Sequence, residues 1–120
     1  MTTWWVKILL IFVVSRVLTT LLVLFFASQQ GEIAVSSLPA HPGYFDYAVI
    51  WDGLWYRYVA GWGYPTSLPL TFDGHVAENS WAFMPAYPGV VMVLTSLTGL
   101  PWGHAAVFVS GAFGLGTALL

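Results

Sequence analysis

Residues 4–27, WWVKILLIFVVSRVLTTLLVLFFA, form one long apolar run. As a helix the run is about 36 Å long, enough to cross a hydrocarbon layer of about 30 Å, so it predicts a first transmembrane helix. A signal peptide is the competing reading, because Lys7 precedes the run. Against it, the run exceeds the usual apolar core, and Phe25–Ala27 lacks the small residues of a cleavage site.

The pattern changes over 28–86, which holds all five acids, two of the three His, Arg57 and five of the seven Pro. These residues predict one long extracytoplasmic loop, and loops of that length are usually functional. Inside it, Trp51, Trp55, Tyr58 and Trp62 recur at helical steps in a stretch without Pro. That spacing predicts an amphipathic helix over 46–62, lying at the membrane surface with its rings at headgroup depth. Asp52 and Tyr56 then share a different face from the Trp stripe. Arg57 points away from Asp52, and Asp46 is the expected N-cap.

Beyond the elbow MPAYPG (84–89), residues 88–100 are apolar but too short to span, so they predict an interfacial or re-entrant segment. GLPWG (99–103) punctuates the chain, and 103–120 reads as the start of a further transmembrane helix. Residues 105–120 carry no charge and no interfacial anchor, which makes the chain the expected N-terminal part of one longer membrane domain. Lys7 favours a cytoplasmic N-terminus, leaving the acidic loop outside. The fold class expected is all-α, in a multi-spanning integral membrane protein.

Composition narrows the function. Of 120 residues, 58% are hydrophobic, 18% aromatic and only 7% charged, far from the quarter charged in an ordinary soluble domain. The net charge of −2 excludes a basic nucleic-acid surface. Without cysteine, disulfides, thiolate catalysis and cysteine-ligated metals are excluded.

Two charged residues stand out. Arg16 lies mid-helix, where a basic residue costs about 2.5–3.5 kcal/mol on insertion scales. Its stripe with Thr19 and Thr20 is therefore expected to face other helices or a cavity. Either Arg16 meets an anionic group such as a lipid phosphate, or it pairs structurally with a later helix. Asp52, between Trp51 and Gly53, is either a helix N-cap or a solvated acid, or a partly desolvated proton acceptor of the kind that activates a hydroxyl. Glu32, Asp73 and Glu78 read as solvated loop charges. Asp73, His75 and Glu78 contain metal-ligand chemistry, but the His spacing shows no zinc pattern. Ser110 with Gly114, and Ala112 with Gly116, suit close helix packing in lipid.

The run WDGLWYRYVAGWGYP (51–65), followed by WAFMPAYPG (81–89), resembles the PIG-V family of integral-membrane mannosyltransferases, which are GT-C glycosyltransferases. The likeness rests on Trp51, Asp52, Gly53, Trp55, Tyr56, Ala60, Gly63 and Tyr64, then on Ala82, Phe83, Pro85, Tyr87 and Pro88. Val59, Met84 and Ala86 depart conservatively from the family pattern. The resemblance implies transfer of mannose from a polyprenyl-phosphate carrier, such as dolichyl-phosphate mannose, to a hydroxyl of a glycan or glycolipid on the extracytoplasmic side, as in GPI-anchor biosynthesis. It implies a multi-pass protein of the bacterial cell membrane or the endoplasmic reticulum membrane. Asp52 becomes the catalytic base of an inverting transfer, Arg16 a contact for the donor phosphate, and Trp51, Trp55, Tyr56, Tyr64 and Tyr87 the lining of the sugar or lipid path. No cofactor is required if cationic side chains stabilise the leaving phosphate, and a divalent metal stays open. The alternative is a non-catalytic membrane fragment, or a small subunit binding a partner or an anionic lipid.

Overall fold

The computed structural model describes residues 2–33 and 38–120. Among them there is no strand, as the all-helical reading expects. The elements are α1 (Thr2–Gln29), α2 (Tyr44–Tyr47), α3 (Asp52–Trp62), a 3-10 turn (Ser80–Ala82), α4 (Ala86–Thr98) and α5 (Trp102–Leu119). They group into two compact units. The first takes in the chain to Ala48 together with Val107–Leu120, and the second is Val49–Ala106.

In the first unit α1 continues two residues beyond each end of the 4–27 apolar run. Nothing in the run breaks a helix, since it contains neither Pro nor Gly. Together with α5, it is long and apolar enough to cross a membrane. Leu10, Leu18 and Leu22 are exposed on its flanks, and Ala27 alone of its described residues is buried. The chain leaving α1 turns back over that end. His41 Nδ1 lies 2.6 Å from the Ser28 carbonyl, Leu38 is buried, and α2 packs on α1. On α5, Gly114 lies against the Phe12 ring, where an added Cβ would make ordinary van der Waals contact at 3.6 Å from Cε2.

The second unit is built differently. Its α3 ends at Gly63, whose φ of 74° and ψ of −143° suit only glycine. α4 ends at Gly99, in the left-handed region at φ 73°, with its N–H donating to the Thr95 carbonyl. That is the usual way a glycine closes a helix. Between them Val59, Ser80, Val91, Ala105 and Ala106 are buried, and Tyr87 Oη donates to the Ala106 carbonyl at 3.0 Å. At 13 residues α4 is about 20 Å long, short of a span, as its 88–100 prediction requires.

The continuous helix predicted over 46–62 is corrected. It is broken into α2 and α3, because Trp51 takes φ 57° and ψ −115°, which no helix accommodates. Asp46 accordingly falls in the first turn of α2 and caps nothing in α3. Asp52 is the first helical residue of α3, with Trp51 in the N-cap position and no side-chain cap bond.

Candidate functional site

The second unit brings together the two sequence blocks that carry the family resemblance. Phe83 stands at the centre. Its ring stacks on Trp55, with centroids 5.9 Å apart and planes 14° off parallel, and it meets the Tyr56 ring edge-on at 5.2 Å. Tyr56 in turn meets Tyr87 at 5.0 Å. Phe83 reaches this place because the 3-10 turn is capped by Asn79, whose side chain accepts from the Trp81 N–H.

A second set of contacts locks the ends of the blocks. Tyr64 stacks on Trp81 at 4.4 Å and donates its hydroxyl to the Phe83 carbonyl at 2.7 Å. The Trp81 indole N–H donates to the Pro65 carbonyl at 3.0 Å. Ser80, itself buried, donates to the Gly63 carbonyl at 3.2 Å. Each bond satisfies a backbone acceptor that the loop would otherwise leave bare, worth about 1 kcal/mol net. The aromatic pairs add about 0.5–1.5 kcal/mol each beyond area burial.

Closing the blocks leaves a recess of about 330 Å³ lined by Trp51, Asp52, Trp55, Glu78, Asn79 and Phe83, among others. Trp51 reaches its edge by way of a positive φ. For a bulky residue that is a strained conformation, costing about 1–3 kcal/mol, and the residue is 74% exposed. Asp52 stands at the N-terminus of α3, where the helix dipole favours a carboxylate. It forms no ion pair with Arg57 among the described residues. Asp52 is exposed rather than partly desolvated, so the recess sets two solvent-facing carboxylates beside flat apolar rings.

That second carboxylate, Glu78, is exposed, as expected of a loop charge; what the sequence did not reveal is its place beside Asp52 at the recess. The available signal was its place three residues before Trp81, on the threshold of the second block. Trp51, Asp52 and Trp55 line the recess, whereas Tyr56, Tyr64 and Tyr87 brace the walls around Phe83. Tyr64 and Tyr87 spend their hydroxyls on backbone carbonyls.

Arg16 belongs to the first unit. It lies along a shallow groove of about 340 Å³ with Phe12, Val13, Val17, Thr20 and Leu21. Its guanidinium bonds Ser15 Oγ at 3.3 Å and lies 5.5 Å from the Phe12 ring centroid. No carboxylate pairs with it among the described residues. Thr19 turns its hydroxyl back to the Ser15 and Arg16 carbonyls, which removes it from the polar stripe expected beside Arg16.

Among the described residues, no three His, Asp or Glu converge as metal ligands. Asp73 and His75 approach to 3.7 Å, both well exposed, in a tight turn held by Thr71. Compared with known protein families, with curated proteins and with solved structures, the chain has no match.

Proposed function

We propose that this protein is a multi-pass membrane mannosyltransferase of the GT-C kind, similar to the PIG-V family. It moves mannose from a polyprenyl-phosphate carrier to a hydroxyl of a glycan or glycolipid at the extracytoplasmic surface, in the bacterial cell membrane or the endoplasmic reticulum membrane. The observation that carries this reading is the joining of residues 51–65 and 80–87 around Phe83, which leaves Asp52 on an aromatic recess. Two helices long enough to cross a bilayer support the membrane setting that a lipid-linked donor needs.

In the proposed step the acceptor oxygen attacks the anomeric carbon of mannose and its proton passes to the Asp52 carboxylate. The bond from the anomeric carbon to the phosphate oxygen breaks, and its electron pair leaves on the polyprenyl phosphate, with inversion at the sugar. A positioned base of this kind contributes about 10²–10⁴-fold. The exposed indole of Trp51 and the half-buried Trp55 offer flat faces to sugar or isoprenoid, with Tyr56, Tyr64 and Tyr87 holding the wall behind them.

The test is to incubate membranes containing the product of the whole reading frame with polyprenyl-phosphate [¹⁴C]mannose. Label is expected to leave the donor lipid and appear in a new glycoside. Donor that is bound but stays intact rejects transfer. It favours a second reading, a binding protein for anionic lipid, which the Arg16 guanidinium on α1 supports, since no carboxylate pairs with it among the described residues. A basic residue on an apolar helix, lacking an acidic partner, suits a lipid phosphate.

A further inference from the structure

We infer that the Arg16 face of α1 is the docking surface for a transmembrane helix of a partner protein, one that carries an aspartate or glutamate near its midpoint. The inference is independent of the transfer reading and needs only that α1, which is long and apolar enough, crosses the bilayer. Three observations carry it.

The first is depth. Arg16 lies midway along the apolar run 4–27, with about 17 Å of helix on either side. Its guanidinium lies 5.5 Å from the Phe12 ring centroid, one turn nearer the N-terminus and still well inside the run. Headgroup phosphates stand outside the hydrocarbon layer, and a guanidinium at this depth meets them by thinning the bilayer or drawing in water. A carboxylate carried on a neighbouring helix arrives at the same depth directly.

The second is the balance of charge and hydrogen bonds. A guanidinium has five N–H donors. Among the described residues this one makes a single hydrogen bond, to Ser15 Oγ at 3.3 Å, and meets no carboxylate. All five acids of the chain fall within 28–86, so neither α1 nor α5 carries one. A second copy does not supply the missing charge. Because Arg16 is central, pairing α1 with itself in either direction sets cation against cation. Charge complementarity therefore calls for a different helix, whose carboxylate takes the guanidinium through two parallel bonds.

The third is shape. Phe12, Arg16 and Thr20 form one row at a spacing of four, Val13, Val17 and Leu21 form the next, and these residues line a groove of about 340 Å³. The furrow between two such rows is what the ridge of a second helix packs into. Val13, Val17 and Leu21 are each more than half exposed, and Thr20 brings a hydroxyl into the groove one turn from Arg16. A phosphate uses the cation alone, whereas a helix uses the cation and the groove together.

The experiment reconstitutes the product of the whole reading frame in phosphatidylcholine vesicles, with benzoylphenylalanine in place of Leu24. That position continues the row of Phe12, Arg16 and Thr20 beyond the groove. Synthetic transmembrane Leu–Ala helices bearing a central Glu, Gln or Leu are added, and photo-cross-linking is titrated. The Glu helix is expected to cross-link at about tenfold lower concentration than the other two. Arg16→Leu makes α1 more apolar, so insertion is not impaired, and is expected to erase that preference. Arg16→Lys is expected to keep most of it. Equal cross-linking of the three helices, none at all, or a preference that survives Arg16→Leu overturns the inference. A preference that vanishes when phosphatidylglycerol is added assigns the cation to lipid phosphate and overturns it as well.

Discussion

Helix α1 and helix α3 are both rich in aromatic and aliphatic side chains, yet they use them in opposite ways. α1 leaves Trp4, Leu10, Leu18, Phe25 and Phe26 exposed, whereas α3 passes Trp55 and Tyr56 to Phe83 and Tyr87. An apolar helix whose flanks are mostly exposed is specified chiefly by length and hydropathy, so at those exposed positions any residue of similar hydropathy serves. A cluster of interlocked rings is specified by shape and by the carbonyls its hydroxyl and indole groups satisfy, so single atoms count. The difference teaches where mutations should matter: the sum of many residues in α1, and individual contacts in the second unit.

The largest expected effect breaks α1 by charge. Leu18→Asp combined with Leu21→Asp adds about 2.5–3.5 kcal/mol per site to the cost of insertion, and the segment after α1 should no longer cross. The chain has no cysteine, so a single Thr66→Cys, labelled from either side with an impermeant maleimide, reports the outcome. Leu18→Ile should leave the labelling unchanged. Next comes Phe83→Ala, expected to cost about 3 kcal/mol and to lower the midpoint of thermal unfolding followed by near-ultraviolet dichroism. The matching change Phe25→Ala on α1 should shift it little, and equal shifts would erase the contrast between the helices.

Smaller effects sharpen the contrast within the second unit. A double-mutant cycle of Tyr64→Ala and Trp81→Ala should give a coupling of about 0.5–1.5 kcal/mol in stability. Purely additive losses would mean the stack does not join the two blocks. Gly99→Ala forces a side chain into the left-handed region and should cost about 1 kcal/mol. Gly31→Ala, at a glycine without positive φ and with open space around it, should be close to neutral.

Much of this architecture is legible in hydropathy and punctuation. The runs 4–27, 88–100 and 103–120 anticipate α1, α4 and α5 within two residues, because apolar length and the Pro and Gly of GLPWG act locally. The break at Trp51 is not legible. YAVIWDG contains no residue that stops a helix before its glycine, and a positive φ at tryptophan persists only when surrounding contacts impose it. Glu78 is exposed, as a loop charge should be, but its place beside Asp52 was hidden for a similar reason. No periodicity links it to Asp52, and the two meet at one recess only because Ser80, Trp81 and Phe83 fold back onto 63–65 and α3. The pairing of the two blocks was not legible, since chain separation alone does not reveal which loop rings touch.

The most direct test of Asp52 as the proton acceptor is label transfer by Asp52→Asn, in the same membranes and beside the parent protein. Asparagine keeps the size of the side chain and cannot take the proton. Transfer is expected to fall by at least about 10²-fold with the unfolding midpoint unchanged. A variant that folds and transfers at the parent rate would contradict the assignment of Asp52 and return the recess to a binding role.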